Sequence, residues 1–234
     1  MPLFTILTLF PEAVESYLDV GILGIARARG LVATRVIDFR DFARDRHRTV
    51  DDRPFGGGPG MVLKPEPIVE AVEWIDARYG PHRRLAACPS GNRFDQAAAT
   101  SLSTSERTLL LCGRYEGFDE RIFESLEFEF FSLGDFVLAG GELAALCAVE
   151  AAARLVPGAL GDDRSAIQES FTPAAEGGLD HPHYTRPRLF RGLAAPDVLL
   201  GGDHAAIERW RAQAARDRTR ARRPDLGAPT DRPS

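Results

Sequence analysis

A glycine-rich segment at residues 51–61 is the densest group of residues in this sequence that could take part in chemistry. It reads DDRPFGGGPGM, and its glycines allow the backbone to approach a ligand closely and to adopt positive φ angles. It is not a P-loop, because Lys64 does not directly follow a glycine and no Ser or Thr comes after it. It is not a dinucleotide fingerprint either, because Met61 stands where the third glycine is required. Alone, such a loop is more often a structural turn than a binding site.

Three further glycine-containing loops follow predicted strands. They read CPSGN at 88–92, CGRYEGFDER at 112–121 and SLGDFVLAGGEL at 132–143. In an open α/β sheet, ligands bind beyond the carboxyl ends of the strands. We therefore expect the three loops to form one pocket, in which backbone N–H and C=O groups hold an adenosine.

The elements that must position these loops alternate between apolar runs and amphipathic stretches, which predicts an α/β fold with a mostly parallel sheet. Short, nearly all-apolar strands are typical of burial on both faces. The predicted strands cover 3–9, 31–39, 84–88, 108–112 and 127–133. The predicted helices cover 12–29, 67–79, 96–103, 119–126 and 142–156. One more helix follows Asp203, a suitable N-cap, and places Ile207, Trp210 and Ala214 on one face.

The composition, with 44% hydrophobic and 27% charged residues, is that of a globular protein. No apolar run approaches the ~20 residues that a membrane-spanning helix needs. The apolar start lacks the features of a signal peptide and reads better as a strand. Cys88, Cys112 and Cys147 have no metal-ligand spacing, so we expect three reduced core residues in a reducing compartment, the cytoplasm.

The net charge of −5 hides an asymmetry along the chain. Residues 177–234 contain 11 Lys and Arg against 7 Asp and Glu, whereas residues 1–176 contain 18 against 27. Seven arginines and one acid, Asp217, fall between Arg209 and Arg223. A basic terminal segment on an acidic body indicates a polyanionic partner. A solvated helix face is the alternative, and charge alone does not decide between them.

The sequence resembles the bacterial tRNA (guanine-N1)-methyltransferases of the SPOUT class almost from end to end. The motifs are HRTVDDRPFGGGPGM at 47–61, CGRYEGFDER at 112–121, SLGDFVLAGGEL at 132–143, PHYTRP at 182–187 and GDHAAIERWR at 202–211. The sequence departs from the family pattern in three places. Ala144 replaces the usual Pro after GGEL, and Cys88-Pro89-Ser90-Gly91 stands where the adenosine loop of the family usually reads Ser-Pro-Gln-Gly. Glu169 replaces the Asp regarded as the general base.

The resemblance implies a deep trefoil knot in the sheet domain and a small helical C-terminal domain. We expect a knotted domain at 1–160 that binds S-adenosylmethionine, a flexible linker at 161–176 and a helical tRNA-binding domain at 177–234. The resemblance also implies a homodimer with active sites between subunits, dependence on Mg²⁺ through undetermined ligands, and a tRNA substrate with guanosine immediately 3′ of the anticodon (position 37).

Site residues carry over position by position. The implied cofactor-binding residues are Pro89, Ser90, Gly91, Gly113, Tyr115, Glu116, Gly117, Leu133, Gly134, Asp135, Phe136, Val137, Leu138, Gly140 and Gly141. The RNA-binding residues, from the resemblance and the basic segment, are Asp51, Gly58, His183, Arg209, Arg216, Arg218 and Arg220.

The resemblance assigns catalysis to Glu169 and Arg154. Guanine N1 is protonated at neutral pH, so a carboxylate must remove that proton before the base attacks a methyl group. Negative charge then spreads onto O6, where a guanidinium would stabilise it. Asp162 or Asp163 would be the next candidates for the base.

Structural alternatives stay open for several of these residues. Arg154 could pair with Glu150 within a helix, and Glu169 could be an ordinary solvated acid. Glu116 and Asp119 could contact Mg²⁺ or the amino group of the cofactor, or could cap the next helix. His183 and Tyr184 could stack on a base or pack a small core.

Two other functions compete with this one. The chain could be a related SPOUT enzyme acting on another RNA or base. It could also be a non-catalytic RNA-binding protein that keeps the fold, a reading favoured only by Glu169.

Overall fold

The computed structural model describes residues 1–162 and 164–227 and contains two compact units, Met1–Gly161 and a second that begins at Asp162. The first unit contains strands β1 (Leu3–Thr8), β2 (Ala33–Asp38), β3 (Asp51–Asp52), β4 (Val62–Leu63), β5 (Arg83–Arg93), β6 (Arg107–Leu111) and β7 (Glu129–Ser132). Its helices are α1 (Pro11–Leu18), α2 (Gly21–Ala28), α3 (Pro65–Tyr79), α4 (Gln96–Ser103), α5 (Arg121–Ser125) and α6 (Glu142–Ala153).

Five strands form one parallel sheet in the order β2-β1-β6-β5-β7, which confirms the predicted α/β class and the parallel pairing. Its core lies on both faces. Leu110 packs on the face that carries Val14 of α1 and Val149 of α6, whereas Leu109 packs on the face that carries Ile68 of α3. The near-continuous apolar runs of the strands follow from this two-sided burial.

The region predicted as a single helix at 12–29 contains two helices, so that prediction is wrong in its continuity. α1 ends at Leu18, Val20 is extended, and α2 begins at Gly21 with a φ of +60°. A left-handed residue cannot continue a right-handed helix, and Gly21 adopts this conformation at little cost.

Helix α6 follows the last strand and lies against the sheet with alanines. Ala145, Ala148 and Ala152 are buried, which allows the helix to pack closely. It ends at Ala153, and a turn leads to Pro157 and Gly158. Cys147 on this helix is exposed, so the expectation of a core residue is wrong there; Cys112 is buried and Cys88 is half-buried.

The second unit contains short elements and one long helix. The short elements are α7 (Arg164–Ile167), a 3₁₀ turn at Pro173–Ala175, the hairpin of β8 (Leu189–Phe190) and β9 (Leu193–Ala194), and a 3₁₀ turn at Asp197–Leu200. Helix α8 (His204–Arg222) begins as predicted, because the Asp203 carboxylate accepts a hydrogen bond from the Ala206 N–H at 3.0 Å. None of the helices in the described part of the chain has the length and apolar character that spanning a membrane requires.

Candidate functional site

A cavity of about 360 Å³ lies at the carboxyl ends of β5 and β7, and all three predicted loops line it. Three strands of a parallel sheet end at this edge, so the loops that follow them meet in space. The structure brings twelve of the predicted cofactor residues together here: Pro89, Gly113, Tyr115, Glu116, Gly117, Leu133, Gly134, Phe136, Val137, Leu138, Gly140 and Gly141.

Three predicted cofactor residues, Ser90, Gly91 and Asp135, are not among the lining residues. Gly91 lies against the neighbouring strand, where an added Cβ would come within 2.4 Å of the backbone nitrogen of Phe131. Its lack of a side chain is therefore needed for the pairing of β5 with β7, next to a register shift in that pair. Ser90 is exposed, and its hydroxyl lies 3.0 Å from the Cys88 thiol, which does line the cavity.

Glycines of the last loop allow two cavity segments to pack tightly. The Gly141 N–H donates to the carbonyl of Gly113 at 2.9 Å, and a Cβ on Gly141 would lie 2.9 Å from Cα of Cys112. A Cβ on Gly140 would lie 2.3 Å from Nε of Arg114. Any larger residue at these two positions would push against the loop that follows β6.

Sequence reasoning missed a buried ion pair beside the cavity. Glu142, at the start of α6, is 5% exposed, and its Oε2 lies 3.0 Å from Nη2 of Arg114. The Thr8 hydroxyl, at the end of β1, donates to Oε1 of Glu142 at 2.8 Å. A single acid at the start of an apolar helix, directly after two glycines, was the signal available in the sequence.

An aromatic wall was also missed. Phe118, Phe123 and Phe130 line the cavity, with ring centroids 5.5 Å apart for Phe118–Phe123 and 4.7 Å apart for Phe123–Phe130. They give the cavity an apolar wall, as is usual in ligand pockets.

Of the three acids in the loop at 112–121, Glu116 and Glu120 line the cavity and Asp119 does not. The Asp119 carboxylate accepts hydrogen bonds from the backbone N–H of Arg121 and from its guanidinium at 2.7 and 2.8 Å. These bonds hold the pKa of Asp119 below its ordinary value. The sequence left open whether Asp119 binds a ligand or caps the next helix, and its contact with the N–H of Arg121 favours capping.

The glycine-rich segment at 51–61 contacts the loop at 112–121. The Glu116 N–H donates to the carbonyl of Met61 at 3.0 Å, and a Cβ on Gly60 would lie 2.2 Å from the Glu116 carboxylate. Asp51 lies in β3, opposite Leu63 in β4, and Gly58 is exposed with a φ of +127°. Neither residue lines the cavity, and their RNA contacts remain a prediction.

Arg154 caps the far end of α6, where its backbone N–H donates to the carbonyl of Glu150 at 3.3 Å. Ala144, near the start of the same helix, lines the cavity. Ten residues of helix separate the two, or about 15 Å along the axis. Arg154 therefore lies about three helical turns from the cavity-lining residue at the start of α6.

In the second unit, Glu169 is half-buried, and its carbonyl accepts a hydrogen bond from the Thr172 hydroxyl at 2.7 Å. Asp163 lies outside the described residues. His183 lies 2.9 Å from the Asp180 carboxylate, and the rings of Tyr184 and Trp210 are 6.2 Å apart. Burial lowers the pKa of His181, although the adjacent Asp180 carboxylate opposes this shift.

The arginines of α8 differ in what they contact. Arg209, Arg216 and Arg220 are exposed, as phosphate-binding side chains must be. Arg216 lies 3.8 Å from Glu176, and Arg220 lies 3.5 Å from Asp217, both on exposed surface. Arg218 instead donates to the carbonyls of Asp180 and His181 at 3.4 and 3.3 Å. The structure therefore gives Arg218 a contact within the fold that the sequence did not predict.

A five-stranded parallel sheet with a glycine-lined cavity at its carboxyl edge is typical of α/β proteins that bind small ligands beyond their strand ends. The chain belongs to the tRNA (guanine-1)-methyltransferase family TrmD, whose model matches residues 3–228. This match confirms the resemblance seen in the motifs.

Curated proteins of this family are similar over nearly their whole length. The chain is 54% identical to a tRNA (guanine-N(1)-)-methyltransferase of Anaeromyxobacter sp. (strain K), over 95% of this chain and 90% of that one. It is 53% identical to a protein of the same name from Myxococcus xanthus, over 95% of this chain and 89% of that one. It is 51% identical to one from Rhodopirellula baltica, over 95% of this chain and 93% of that one. The predicted enzyme class, a tRNA guanine-N1 methyltransferase, is thereby confirmed.

Proposed function

We propose that this chain methylates N1 of the guanosine immediately 3′ of the anticodon, position 37, in tRNA, with S-adenosylmethionine as methyl donor. The observation that carries the proposal is the family match over residues 3–228, which includes the cavity loops and the segment around Glu169. The relatives named as methyltransferases argue against the non-catalytic alternative, and their printed substrate argues against another RNA or base.

The cavity has the chemistry to accept S-adenosylmethionine, which supplies a methyl group activated by its sulfonium. The glycines at 113, 140 and 141 leave backbone groups accessible at places where a Cβ would meet neighbouring atoms. Glu116 and Glu120 bring negative charge to a ligand that carries an ammonium and a sulfonium, and Arg114 brings positive charge to its carboxylate. The aromatic wall suits the apolar faces of adenine. The twelve predicted residues that line the cavity would hold the cofactor, with Ser90, Gly91 and Asp135 supporting their loops.

Two side chains of the protein act on guanine in this proposal. The Glu169 carboxylate takes the proton from N1, a role that contributes roughly 10²–10⁴-fold. The Arg154 guanidinium stabilises the negative charge that develops on O6. Glu has the carboxylate chemistry of Asp with one more methylene, and the irregular backbone around residue 169 can compensate for the longer side chain.

The position of Arg154 supports a homodimer with active sites between subunits. Because Arg154 lies about 15 Å along α6 from Ala144, which lines the cavity of its own chain, we expect it to serve the cavity of a second copy. One subunit then provides the cofactor cavity, and the other provides Arg154 and the segment that contains Glu169.

The proposal also includes the remaining features implied by the family resemblance. These are a trefoil knot in the sheet domain and a tRNA-binding domain at 177–234 joined by a linker at 161–176. We also propose that the enzyme depends on Mg²⁺ and acts in the cytoplasm, where tRNA is modified.

Transfer of a labelled methyl group tests the activity. The protein is incubated with an unmodified tRNA transcript and labelled S-adenosylmethionine, and the RNA is digested to nucleosides for chromatography and mass spectrometry. We expect the label in 1-methylguanosine. Label in a different nucleoside would indicate a related enzyme, and RNA binding without label would indicate a non-catalytic protein.

A further inference from the structure

In the second unit, three side chains with metal-binding chemistry meet within four consecutive positions. Each of Asp180, His181 and His183 offers one ligand atom, and these atoms lie within 4.8 Å of one another. We propose that the three residues form a binding site for one divalent transition-metal ion, with Zn²⁺ as its representative. None of the three residues lines the cofactor cavity, and the proposal does not depend on the methyltransferase activity.

The carboxylate of Asp180 already lies close to one nitrogen of each histidine. One oxygen of the Asp180 carboxylate lies 2.6 Å from Nδ1 of His181, and the other lies 2.9 Å from Nε2 of His183. The two imidazole rings are 4.5 Å apart between centroids. A tetrahedral Zn²⁺ with bonds of about 2.0–2.1 Å places its ligand atoms about 3.3 Å apart. Small side-chain rotations would therefore replace the two hydrogen bonds by metal–ligand bonds.

The backbone around the ligands is fixed by side chains from two other segments. The Asp180 N–H donates to the Ser170 hydroxyl at 2.9 Å, and the N–H of Leu179 donates to the Thr219 hydroxyl at 2.8 Å. Arg218 holds the carbonyls of Asp180 and His181. A metal site needs such supporting contacts, because they orient the ligands before the ion arrives.

The exposure of the three side chains suits an ion that enters from solvent. Asp180 and His181 are 21% and 18% exposed, whereas His183 is 71% exposed. The nearby cation Arg211 is paired with Glu208 at 3.0 Å, which reduces its repulsion of a metal ion. Three protein ligands and one position open to water form an arrangement that is common for Zn²⁺.

The ligand types select the class of ion. Imidazole nitrogens suit Zn²⁺, Co²⁺ and Ni²⁺, whereas Mg²⁺ prefers an all-oxygen octahedron. The site is therefore not the Mg²⁺ site expected for catalysis. Through the hydrogen bond between Asp180 and Ser170, an ion here would restrain the segment next to Glu169.

Metal titration of the full chain tests the site. The protein is stripped with chelator and titrated with Zn²⁺ in a calorimeter, and with Co²⁺ while its visible absorption is recorded. His183→Ala and Asp180→Asn remove ligands. His204→Ala is the matched control, because His204 is an exposed histidine of the same unit. Circular dichroism verifies that each variant folds.

We expect one Zn²⁺ per chain, a Co²⁺ spectrum of low coordination number, and no comparable binding of Mg²⁺. Each ligand variant should bind Zn²⁺ at least 10-fold more weakly, and the His204→Ala protein should bind like the parent. Zn²⁺ should raise the melting temperature of the parent and of the control only. Absence of Zn²⁺ binding by the parent, or binding that persists in folded His183→Ala and Asp180→Asn proteins, would overturn the proposal.

Discussion

Arg114 and Glu142 form an ion pair beside the cavity, with Nη2 and Oε2 3.0 Å apart. The pair joins the loop that follows β6 to the first residue of α6, and Thr8 adds a third contact from the end of β1. The Arg114 guanidinium also lies over the Phe10 ring at 4.3 Å. Glu142 is almost completely buried, so Arg114 and Thr8 take the place of water around its carboxylate.

We expect Arg114→Ala to destabilise the protein by about 3 kcal/mol, because it leaves a buried carboxylate without its cation. The double variant Arg114→Ala/Glu142→Gln should be more stable than Arg114→Ala alone, since the unpaired charge is removed. Urea unfolding of the parent, the two single variants and the double variant gives the coupling free energy. Additive effects of the two substitutions would show that the pair does not stabilise the fold.

Thiol reactivity should separate the three cysteines. Burial raises the pKa of Cys112 well above its ordinary value, and the charge of Glu142 raises it further. Its thiol therefore stays protonated at pH 8 and should not react in the native protein, because the thiolate is the nucleophile. Exposed Cys147 and half-buried Cys88 should react with a maleimide, and all three cysteines should react in urea.

Saturating S-adenosylmethionine should protect Cys88, which lines the cavity, and leave the labelling rate of Cys147 unchanged. Peptide mass spectrometry assigns the labelled sites. Equal protection of both cysteines, or of neither, would argue against this cavity as the cofactor site.

The exposed arginines of α8 should supply affinity for tRNA through phosphate contacts. A triple variant in which Arg209, Arg216 and Arg220 are each replaced by Gln should bind tRNA with a weaker salt dependence. The slope of the logarithm of the binding constant against the logarithm of the salt concentration should fall by about 2–3, at roughly 0.7–0.9 per lost contact. Binding of S-adenosylmethionine should not change. Arg218→Gln should affect mainly stability, because that side chain contacts the Asp180 and His181 carbonyls. An unaltered slope in the triple variant would support the solvated-face interpretation.

Shared active sites predict recovery of activity in mixed dimers. Gly140→Val should abolish cofactor binding, because its side chain would displace Arg114 at the cavity. Glu169→Gln should abolish turnover while tRNA and cofactor binding remain. Each homodimer is then inactive, but a heterodimer has one site with both an intact cavity and an intact Glu169.

Heterodimers purified through two different affinity tags should have about half of the parent activity, because one of their two active sites is intact. Dimers that carry the same two tags on parent chains are the control. Inactive heterodimers, after calorimetry has verified one cofactor bound per dimer, would place Glu169 and the cavity in the same chain. An active Glu169→Gln homodimer would exclude Glu169 from catalysis.

The sequence predicted the features that depend on local pattern and strand order. Apolar runs such as the one around Leu110 located all five strands of the sheet, and the rule that parallel strands end at one edge brought the loops of Gly113 and Gly134 to one cavity. The break before Gly21 was missed, because the hydrophobic spacing continues through it. Long-range contacts were missed for a different reason. The pairing of Arg114 with Glu142 depends on tertiary packing, which no local pattern encodes.

Reverse transcription across the treated tRNA tests the central claim most directly. A methyl group on N1 blocks the Watson–Crick edge of guanine, so the polymerase stops one nucleotide 3′ of the modified base. Two transcripts that differ only in the nucleotide 3′ of the anticodon, guanosine or adenosine, are incubated with the protein and S-adenosylmethionine. We expect a strong stop one nucleotide 3′ of this guanosine in the guanosine transcript, and no stop there in the adenosine transcript. Full-length extension on both, or a stop elsewhere in the tRNA, would contradict it.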